Sequence, residues 1–142
     1  MKVFKHASAI WNGTVPAGTG SMKLGRAGEV LPFSLKSRVE DVPMTNPEEL
    51  IGAAHAGCFS MALSSLIEEE GKVPGTVETS VKVTLEQRED GFWISEINLI
   101  TRGSNQAMTN DEFVALAEKA KTTCPVSKLY SSATITLDAA LA

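Results

Sequence analysis

The sequence TNPEELIGAAHAGCFSMALSSLIEEEG, residues 45–71, predicts one long α-helix around which the rest of the chain is organised. Asn46 is a favourable N-cap, Pro47 suits the first helical position, and Gly71 is a favourable C-cap. The two glutamates that follow Pro47 lie in the first turn, where the helix dipole favours negative charge. At a rise of about 1.5 Å per residue, the helix is about 37 Å long.

The centre of this helix, GAAHAG at residues 52–57, consists mostly of small residues. Such residues include glycines that lower helix propensity, and their usual purpose is to let a second backbone approach closely. A helix that is apolar nearly all round is also expected to be buried nearly all round. Because a helix of this length cannot be buried inside one small domain of 142 residues, we predict a homodimer in which two such helices cross near Ala53.

Strands and shorter helices are predicted on both sides of the long helix. Hydrophobic alternation and turn residues predict strands at 3–11, 18–24, 29–39, 76–87, 92–101 and 132–139. A turn is predicted at 26–28, a β-bulge near Ser95, a helix with a capping box between Thr109 and Glu112, and a short helix that begins at Pro125. Strands grouped in blocks indicate an α+β fold, here in a single domain that covers residues 1–142.

Composition and charge argue against several classes of protein. The 13 basic and 17 acidic residues give a net charge of −4, and the basic residues form no cluster, so no nucleic-acid partner is expected. No apolar run reaches the length of a membrane span, and the N-terminal residues 1–13 lack the apolar core of a signal peptide. We therefore expect a cytoplasmic protein without a membrane partner, in which cysteines are usually reduced.

The two cysteines, Cys58 and Cys124, are the side chains best suited to chemistry. They form no CxxC pair, and the four soft ligands of a structural zinc site are not available. Most buried cysteines are inert small hydrophobic residues. Two features favour reactivity here: Cys124 precedes Pro125 at a predicted helix N-cap, where backbone N–H groups favour a thiolate, and Cys58 has small neighbours that leave room for a substrate.

Cys58 lies about a dozen residues into the helix, beyond the first turn on which the helix dipole acts. An ordinary thiol is only a few per cent ionised near pH 7, so a cation is needed to activate it. Arg38, at the end of the strand predicted before the helix, is the candidate, although an arginine at a strand end is most often solvated. Glu48 lies about 15 Å from Cys58 along one helix, but in an antiparallel helix pair it approaches the partner's cysteine and can hold the arginine.

Two neighbouring residues have alternative roles that the sequence leaves open. Glu49 is the alternative carboxylate, and both it and Glu48 also suit simple capping of the first helical turn. His55, three residues before Cys58, could couple to the thiol, but a structural role is favoured for a histidine in a packed helix. The apolar residues Phe33, Met44 and Phe59 could admit an alkyl chain, with core packing as the favoured role.

The motifs at 46–64, NPEELIGAAHAGCFSMALS, and 119–130, KAKTTCPVSKLY, resemble those of the OsmC/Ohr family of organic hydroperoxide reductases. The sequence LKSRVED at 35–41 and the final strand ITLDAAL at 135–141 resemble the OsmC branch of that family. The resemblance covers nearly the whole chain. It implies an α+β intertwined homodimer, with antiparallel sheets wrapped around two long central helices and two active sites at the interface.

The resemblance also implies a role for each candidate residue. Cys58 corresponds to the peroxidatic cysteine, Cys124 to the resolving cysteine, Arg38 to the arginine that binds the thiolate, and Glu48 to its carboxylate partner. In the other branch of the family the arginine comes earlier in the chain, and Arg26 is the earlier arginine here.

The implied activity is reduction of organic, and more weakly inorganic, hydroperoxides to alcohols through a Cys58 sulfenic acid and a Cys58–Cys124 disulfide. A dithiol, lipoyl-type by resemblance, then restores both thiols, and no metal, haem or flavin is implied. Two other functions remain open, one that uses the same two cysteines and one that uses neither. A thiol-based peroxide sensor or ligand-binding stress protein would react without turnover, and a structural stress protein would have incidental thiols.

Overall fold

The computed structural model describes residues 1–26 and 28–142. Within these residues the chain forms β1 (Ala7–Asn12), β2 (Thr19–Leu24), β3 (Val30–Phe33), α1 (Leu35–Val39), α2 (Pro47–Glu69), β4 (Thr76–Arg88), β5 (Gly91–Ser104), α3 (Asn110–Thr123), α4 (Pro125–Leu129) and β6 (Thr134–Leu141). The mixture of grouped strands and helices confirms the predicted α+β class. The turn predicted at 26–28 includes residue 27, which lies outside the described residues.

The chain divides into two compact units, Met1–Leu50 and Ile51–Ala142. The first unit contains an antiparallel sheet in the order β1–β2–β3, in which Ile10 pairs with Ser21 and Met22 pairs with Leu31. The prediction of one domain over residues 1–142 stays a prediction.

The strand predicted at 29–39 is wrong in its second half. β3 ends at Phe33, and α1 begins at Leu35 because Ser34 forms a capping box. The Ser37 backbone N–H donates to Ser34 Oγ at 3.3 Å, and the Ser34 backbone N–H donates to Ser37 Oγ at 3.1 Å. This reciprocal pair satisfies donors at the helix start. Arg38 therefore lies on a short helix, and not at the end of a strand.

The second unit contains a sheet in the order β4–β5–β6. β4 and β5 are antiparallel, and their register passes from Thr84–Glu96 to Leu85–Ile94, which leaves Ser95 unpaired and confirms the predicted bulge. β6 runs parallel to β5. This sheet is therefore mixed, whereas the family resemblance implied antiparallel sheets.

The core of the second unit lies between helices α2 and α3 and the central strand of the sheet. Its fully buried members are Phe59, Leu63 and Ile67 of α2, Leu99 of β5, Phe113, Ala117 and Ala120 of α3, and Cys124. Phe59 thus has the core-packing role that the sequence favoured. Because side chains of this size fill a domain interior at crystal-like density, the core fixes the position of α3 and of the segment that follows it.

Both ends of helix α2 follow the sequence prediction. Asn46 Oδ1 accepts a hydrogen bond from the Glu49 backbone N–H at 2.8 Å, as an N-cap does. At the other end Gly71 has a φ of 72°, and the Lys72 N–H donates to the Ile67 carbonyl at 3.2 Å. These contacts form a Schellman motif, which satisfies the last carbonyls of the helix.

One face of helix α2 is exposed in the single chain, so the prediction that it is buried nearly all round is wrong for this chain alone. Ala53, Ala54, Gly57 and Met61 lie on that face, and Met61 is 78% exposed. Apart from the adjacent residues and the backbone of α2 itself, a Cβ atom added at Gly57 would meet no atom of the described residues within 4 Å. The exposed face is therefore apolar and nearly flat around Gly57, as a helix face that receives another backbone must be.

Helix α2 also meets the length and composition required of a membrane span. The prediction that no apolar run is long enough to span a membrane is therefore wrong for this segment by those two measures. A long core helix of a globular protein meets the same two criteria. Length and composition alone are thus weak evidence for a membrane location.

Candidate active site

The two cysteines meet in space although they are far apart in the chain. Cys58 Sγ on α2 and Cys124 Sγ lie 2.9 Å apart, within hydrogen-bond distance, and both thiols are free. Cys124 is fully buried, whereas Cys58 is half-buried and so more accessible to a substrate. The packing of α3 and α4 against α2 therefore brings together the two predicted thiols.

Cys124 joins two helices. Its backbone N–H donates to the Ala120 carbonyl at 2.9 Å and ends α3, while its own carbonyl accepts from the Lys128 N–H at 3.1 Å and begins α4. Pro125 occupies the first position of α4, where a missing backbone N–H has no cost. The predicted N-cap position of Cys124 is confirmed.

The surroundings of Cys58 within the chain oppose its ionisation. Burial raises the pKa of the Cys58 thiol, and the hydrogen bond with Cys124 raises it further. The backbone N–H of Val126, in the first turn of α4, acts in the opposite direction but is a smaller cause. A thiolate at Cys58 therefore needs an additional positive charge, as expected from its position in the middle of the helix.

Arg38 and Glu48 form an ion pair within the first unit. Arg38 Nη2 donates to Glu48 Oε1 at 2.6 Å, and Arg38 Nε donates to the same oxygen at 3.1 Å. Glu48 is buried, while 39% of the Arg38 side chain is exposed. The guanidinium uses its Nε and Nη2 edge for the carboxylate, which leaves Nη1 outside the pair. The other candidate carboxylate, Glu49, is exposed and does not make this contact.

A mainly apolar cavity of about 260 Å³ lies beside Arg38 in the first unit. Its walls are Trp11, Val15, Phe33, Ser34, Leu35 and Arg38. The rings of Trp11 and Phe33 pack 5.4 Å apart and form one wall. Of the apolar residues named from the sequence, Phe33 lines this cavity. Trp11 and Leu35 were missed, because they approach it only after the sheet and α1 have formed.

His55 contacts α4 and makes no Cys–His couple. Its Nε2 lies 2.7 Å from Ser127 Oγ, and its ring packs edge-on against Tyr130 with the centroids 5.4 Å apart. Burial lowers the pKa of His55, so the neutral imidazole is favoured. This is the structural role that the sequence favoured. Ser127 and Tyr130 were missed as its partners, since neither is close to it in the chain.

Comparison with known families identifies the chain. Residues 40–138, well over half of its length, match the family profile described as OsmC-like protein. The chain belongs to the OsmC family. It is 39% identical to Peroxiredoxin OsmC of Escherichia coli (strain K12) over 140 residues, which cover 97% of this chain and 96% of that protein. It is 33% identical to the organic hydroperoxide resistance protein OhrA of Bacillus subtilis (strain 168) over 88 residues, 61% of this chain and 60% of that one.

Solved structures agree with this OsmC assignment at the level of the fold. An organic hydroperoxide resistance protein from Elizabethkingia anophelis, crystallised with thiocyanate, has a TM-score of 0.81 at 24% identity, with full coverage of both chains. An organic hydroperoxide resistance protein OsmC from Legionella pneumophila has a TM-score of 0.76 at 22% identity, covering 98% of this chain and 99% of that one. The predicted OsmC-like α+β fold is confirmed.

We predict that the OsmC chain loses stability as the pH falls below about 6.5, the ordinary pKa of histidine. The folded state favours neutral His55, so the unfolded chain binds more protons in this range and the free energy of unfolding decreases with falling pH. Urea unfolding between pH 7.5 and 5 measures this slope. His55→Gln should flatten the slope, and an unchanged slope would contradict the assignment.

Proposed function

We propose that this OsmC-family chain is a peroxidase that reduces organic hydroperoxides to alcohols through its two thiols. The 2.9 Å separation of the Cys58 and Cys124 sulfur atoms carries the proposal, because it allows a disulfide to form after small movements. The names of its relatives, a peroxiredoxin and organic hydroperoxide resistance proteins, support the same activity.

In the first step the Cys58 thiolate attacks the terminal oxygen of the hydroperoxide. The O–O bond breaks, the sulfur becomes a sulfenic acid, and the alkoxide takes up a proton and leaves as an alcohol. Cys58 is the more exposed of the two thiols and so is the one we assign to this step. Inorganic peroxide would react in the same way with weaker binding.

In the second step the Cys124 thiol attacks the Cys58 sulfenic acid. A disulfide forms, and the sulfenic oxygen leaves as water with the thiol proton. Cys124 is buried and already in contact with Cys58, so it can react sooner than a second peroxide molecule. An external dithiol, lipoyl-type by family resemblance, then reduces the disulfide by thiol exchange.

We assign the Arg38–Glu48 ion pair to activation of the thiol. Glu48 and Cys58 are ten residues apart on α2, about 15 Å along its axis, so we place Arg38 of the partner subunit at each Cys58 in a homodimer. The exposed face of α2 around Gly57 supports the close crossing of two helices that this arrangement needs. The free edge of the guanidinium then stabilises the thiolate and the charge on the departing alkoxide.

We assign the cavity beside Arg38 to the organic part of the substrate. Its volume of about 260 Å³ and its apolar wall of Trp11, Phe33 and Leu35 suit an alkyl or aryl group. A hydroperoxide whose apolar group lies there would have its oxygen atoms near the guanidinium. This favours organic hydroperoxides over hydrogen peroxide. The residues assigned here require no metal, haem or flavin, and we expect a cytoplasmic location.

A second function, sensing of peroxide without turnover, would use the same two thiols. The short distance between Cys58 and Cys124 fits it equally well, because a sensor also forms a disulfide. The two functions differ in the fate of that disulfide. A peroxidase is reduced and reacts again, whereas a sensor or a binding protein stops after one equivalent.

We predict continuous peroxide consumption when reduced protein is mixed with cumene hydroperoxide and dihydrolipoamide. Cys58→Ser should reduce the rate to the background, because the attacking sulfur is lost. Cys124→Ser should form the sulfenic acid and then consume a second hydroperoxide, so that Cys58 carries two oxygen atoms in total, because no second thiol traps the sulfenic acid. A peroxide assay with intact mass spectrometry measures both effects. Consumption that ends after one equivalent in the wild type supports the sensor, and full activity in Cys58→Ser supports incidental thiols.

We predict that Arg38→Met lowers kcat/KM roughly 100-fold, the usual effect of removing one donor from a developing oxyanion. The substitution should also move the alkylation of Cys58 by iodoacetamide to higher pH, since the thiolate loses its cation. Glu48→Gln should have a smaller effect in the same direction. Arg26→Met is the matched control and should leave both measurements unchanged. The assignment is rejected when Arg26→Met, and not Arg38→Met, shows the loss.

We predict that the wild type has twice the mass of one chain in sedimentation and that Gly57→Leu is a monomer. The chain itself leaves space at Gly57, so circular dichroism should show an intact helix while the crossing of two helices is blocked. Peroxidase activity should be lost with the dimer. Glu69→Leu adds the same side chain at an exposed end of α2 and should remain dimeric. A monomeric, active wild type contradicts the proposed arrangement.

A further inference from the structure

The short helix α4 is attached to α2 by two neighbouring contacts. One is the contact between Cys124 and Cys58, and the other is the 2.7 Å hydrogen bond between Ser127 Oγ and His55 Nε2. His55 and Cys58 are three residues apart and so lie on nearly the same face of α2. The two contacts therefore both hold α4, at points about one helical turn apart.

A third contact fixes the C-terminal end of α4. Tyr130, its C-cap residue, places its ring edge-on to His55 and donates a hydrogen bond from its hydroxyl to the Ile51 carbonyl at 3.5 Å. With five residues, α4 is too short to be stable as an isolated helix. Its position therefore depends on tertiary contacts, and His55 takes part in two of them.

The environment of His55 favours a neutral ring that is bonded to Ser127. The side chain is fully buried, and within the described part of the chain Nδ1 has no hydrogen-bond partner. The Nε2–Oγ hydrogen bond forms in either neutral tautomer, with Nε2 as the donor when it carries the proton and as the acceptor when Nδ1 does. Burial lowers the pKa of His55 and keeps the imidazole neutral.

We propose that His55 is a positioning residue for disulfide formation, holding α4 through Ser127 so that Cys124 stays beside Cys58 after Cys58 has been oxidised. The inference rests on the proposed peroxidase function. In the reduced protein the thiol contact and the His55–Ser127 bond both hold α4 against α2. Oxidation of Cys58 to a sulfenic acid adds an oxygen atom to its sulfur and disrupts the contact between the two thiols. The His55–Ser127 bond then remains to hold α4 in place.

Two reactions of the sulfenic acid compete at this point. Attack by the Cys124 thiol gives the disulfide and water, whereas attack on a second hydroperoxide gives a sulfinic acid and a second alcohol. The first reaction depends on the proximity of Cys124, and the second depends on the peroxide concentration. A change in the position of α4 should thus alter the ratio of sulfinic acid to disulfide without altering the first attack on peroxide.

The experiment compares His55→Leu, Ser127→Ala and His55→Gln with the wild type under rising cumene hydroperoxide. Intact mass spectrometry measures the ratio of sulfinic acid to disulfide, and stopped-flow peroxide loss measures the first step. We expect His55→Leu and Ser127→Ala to raise the ratio roughly three- to tenfold, the effect of one net hydrogen bond. The rate of the first step should be nearly unchanged. His55→Gln can donate from a similar position and should restore much of the wild-type ratio.

The controls separate this inference from a loss of folding and from failure of the proposed function. His6→Leu changes the other, exposed histidine and should match the wild type. The ratio is measured only on protein with a wild-type dichroism spectrum, and Ser127→Ala provides the test where His55→Leu is unfolded. An unchanged ratio in folded Ser127→Ala, or an equal increase in His55→Gln, overturns the inference while peroxidase turnover still stands. A wild type without turnover rejects the peroxidase function instead.

Discussion

The contact between two free sulfur atoms is the constraint on which the rest of this structure depends. The two thiols are 66 positions apart in the chain, so tertiary packing has to bring them together. Cys58 is fixed by α2, and Cys124 is fixed because α3 packs through Phe113, Ala117 and Ala120 against the core. The close-packed hydrophobic core of the second unit therefore determines the distance between the two sulfur atoms, on which the proposed chemistry depends.

Electrostatics divides the proposed site into two parts. The second unit buries Cys58 and raises the pKa of its thiol, so this part alone would be a poor nucleophile. The positive charge belongs to Arg38 in the first unit, where buried Glu48 fixes one edge of the guanidinium. In the proposed dimer the two parts meet across the subunit interface. A chain that has not yet paired would then have a nearly inert thiol, which limits unwanted oxidation before assembly.

Local signals in the sequence predicted the ends of the long helix and several neighbouring features of the fold well. Asn46 and Gly71 set the bounds of α2, the slip of the apolar phase placed the bulge at Ser95, and a capping box began α3 at Thr109. Short-range hydrogen bonds determine each of these features, so they can be inferred from a few residues. The resolving role given to Cys124 came instead from resemblance to a family.

Other features were not predicted because they depend on distant residues. The direction of β6 relative to β5 has no signature in hydrophobic alternation, which is the same for both directions. The bond between His55 and Ser127 joins positions 72 residues apart. Helix α1 was missed although its start is determined locally. Its capping box pairs Ser34 with Ser37, and a serine at that third helical position is less recognisable than the usual glutamate or glutamine.

The position of the two cysteines also links oxidation to the stability of the folded chain. A bond between Cys58 and Cys124 would join residues 66 positions apart and so close a large loop of the chain. By the chain-entropy argument, such a cross-link lowers the conformational entropy of the unfolded chain and so stabilises the folded state by about 4 kcal/mol. Each catalytic cycle would then alternate between a less stable reduced form and a more stable oxidised form. Heat or proteolysis would act mainly on the reduced form, and the protein would be most durable while peroxide is abundant.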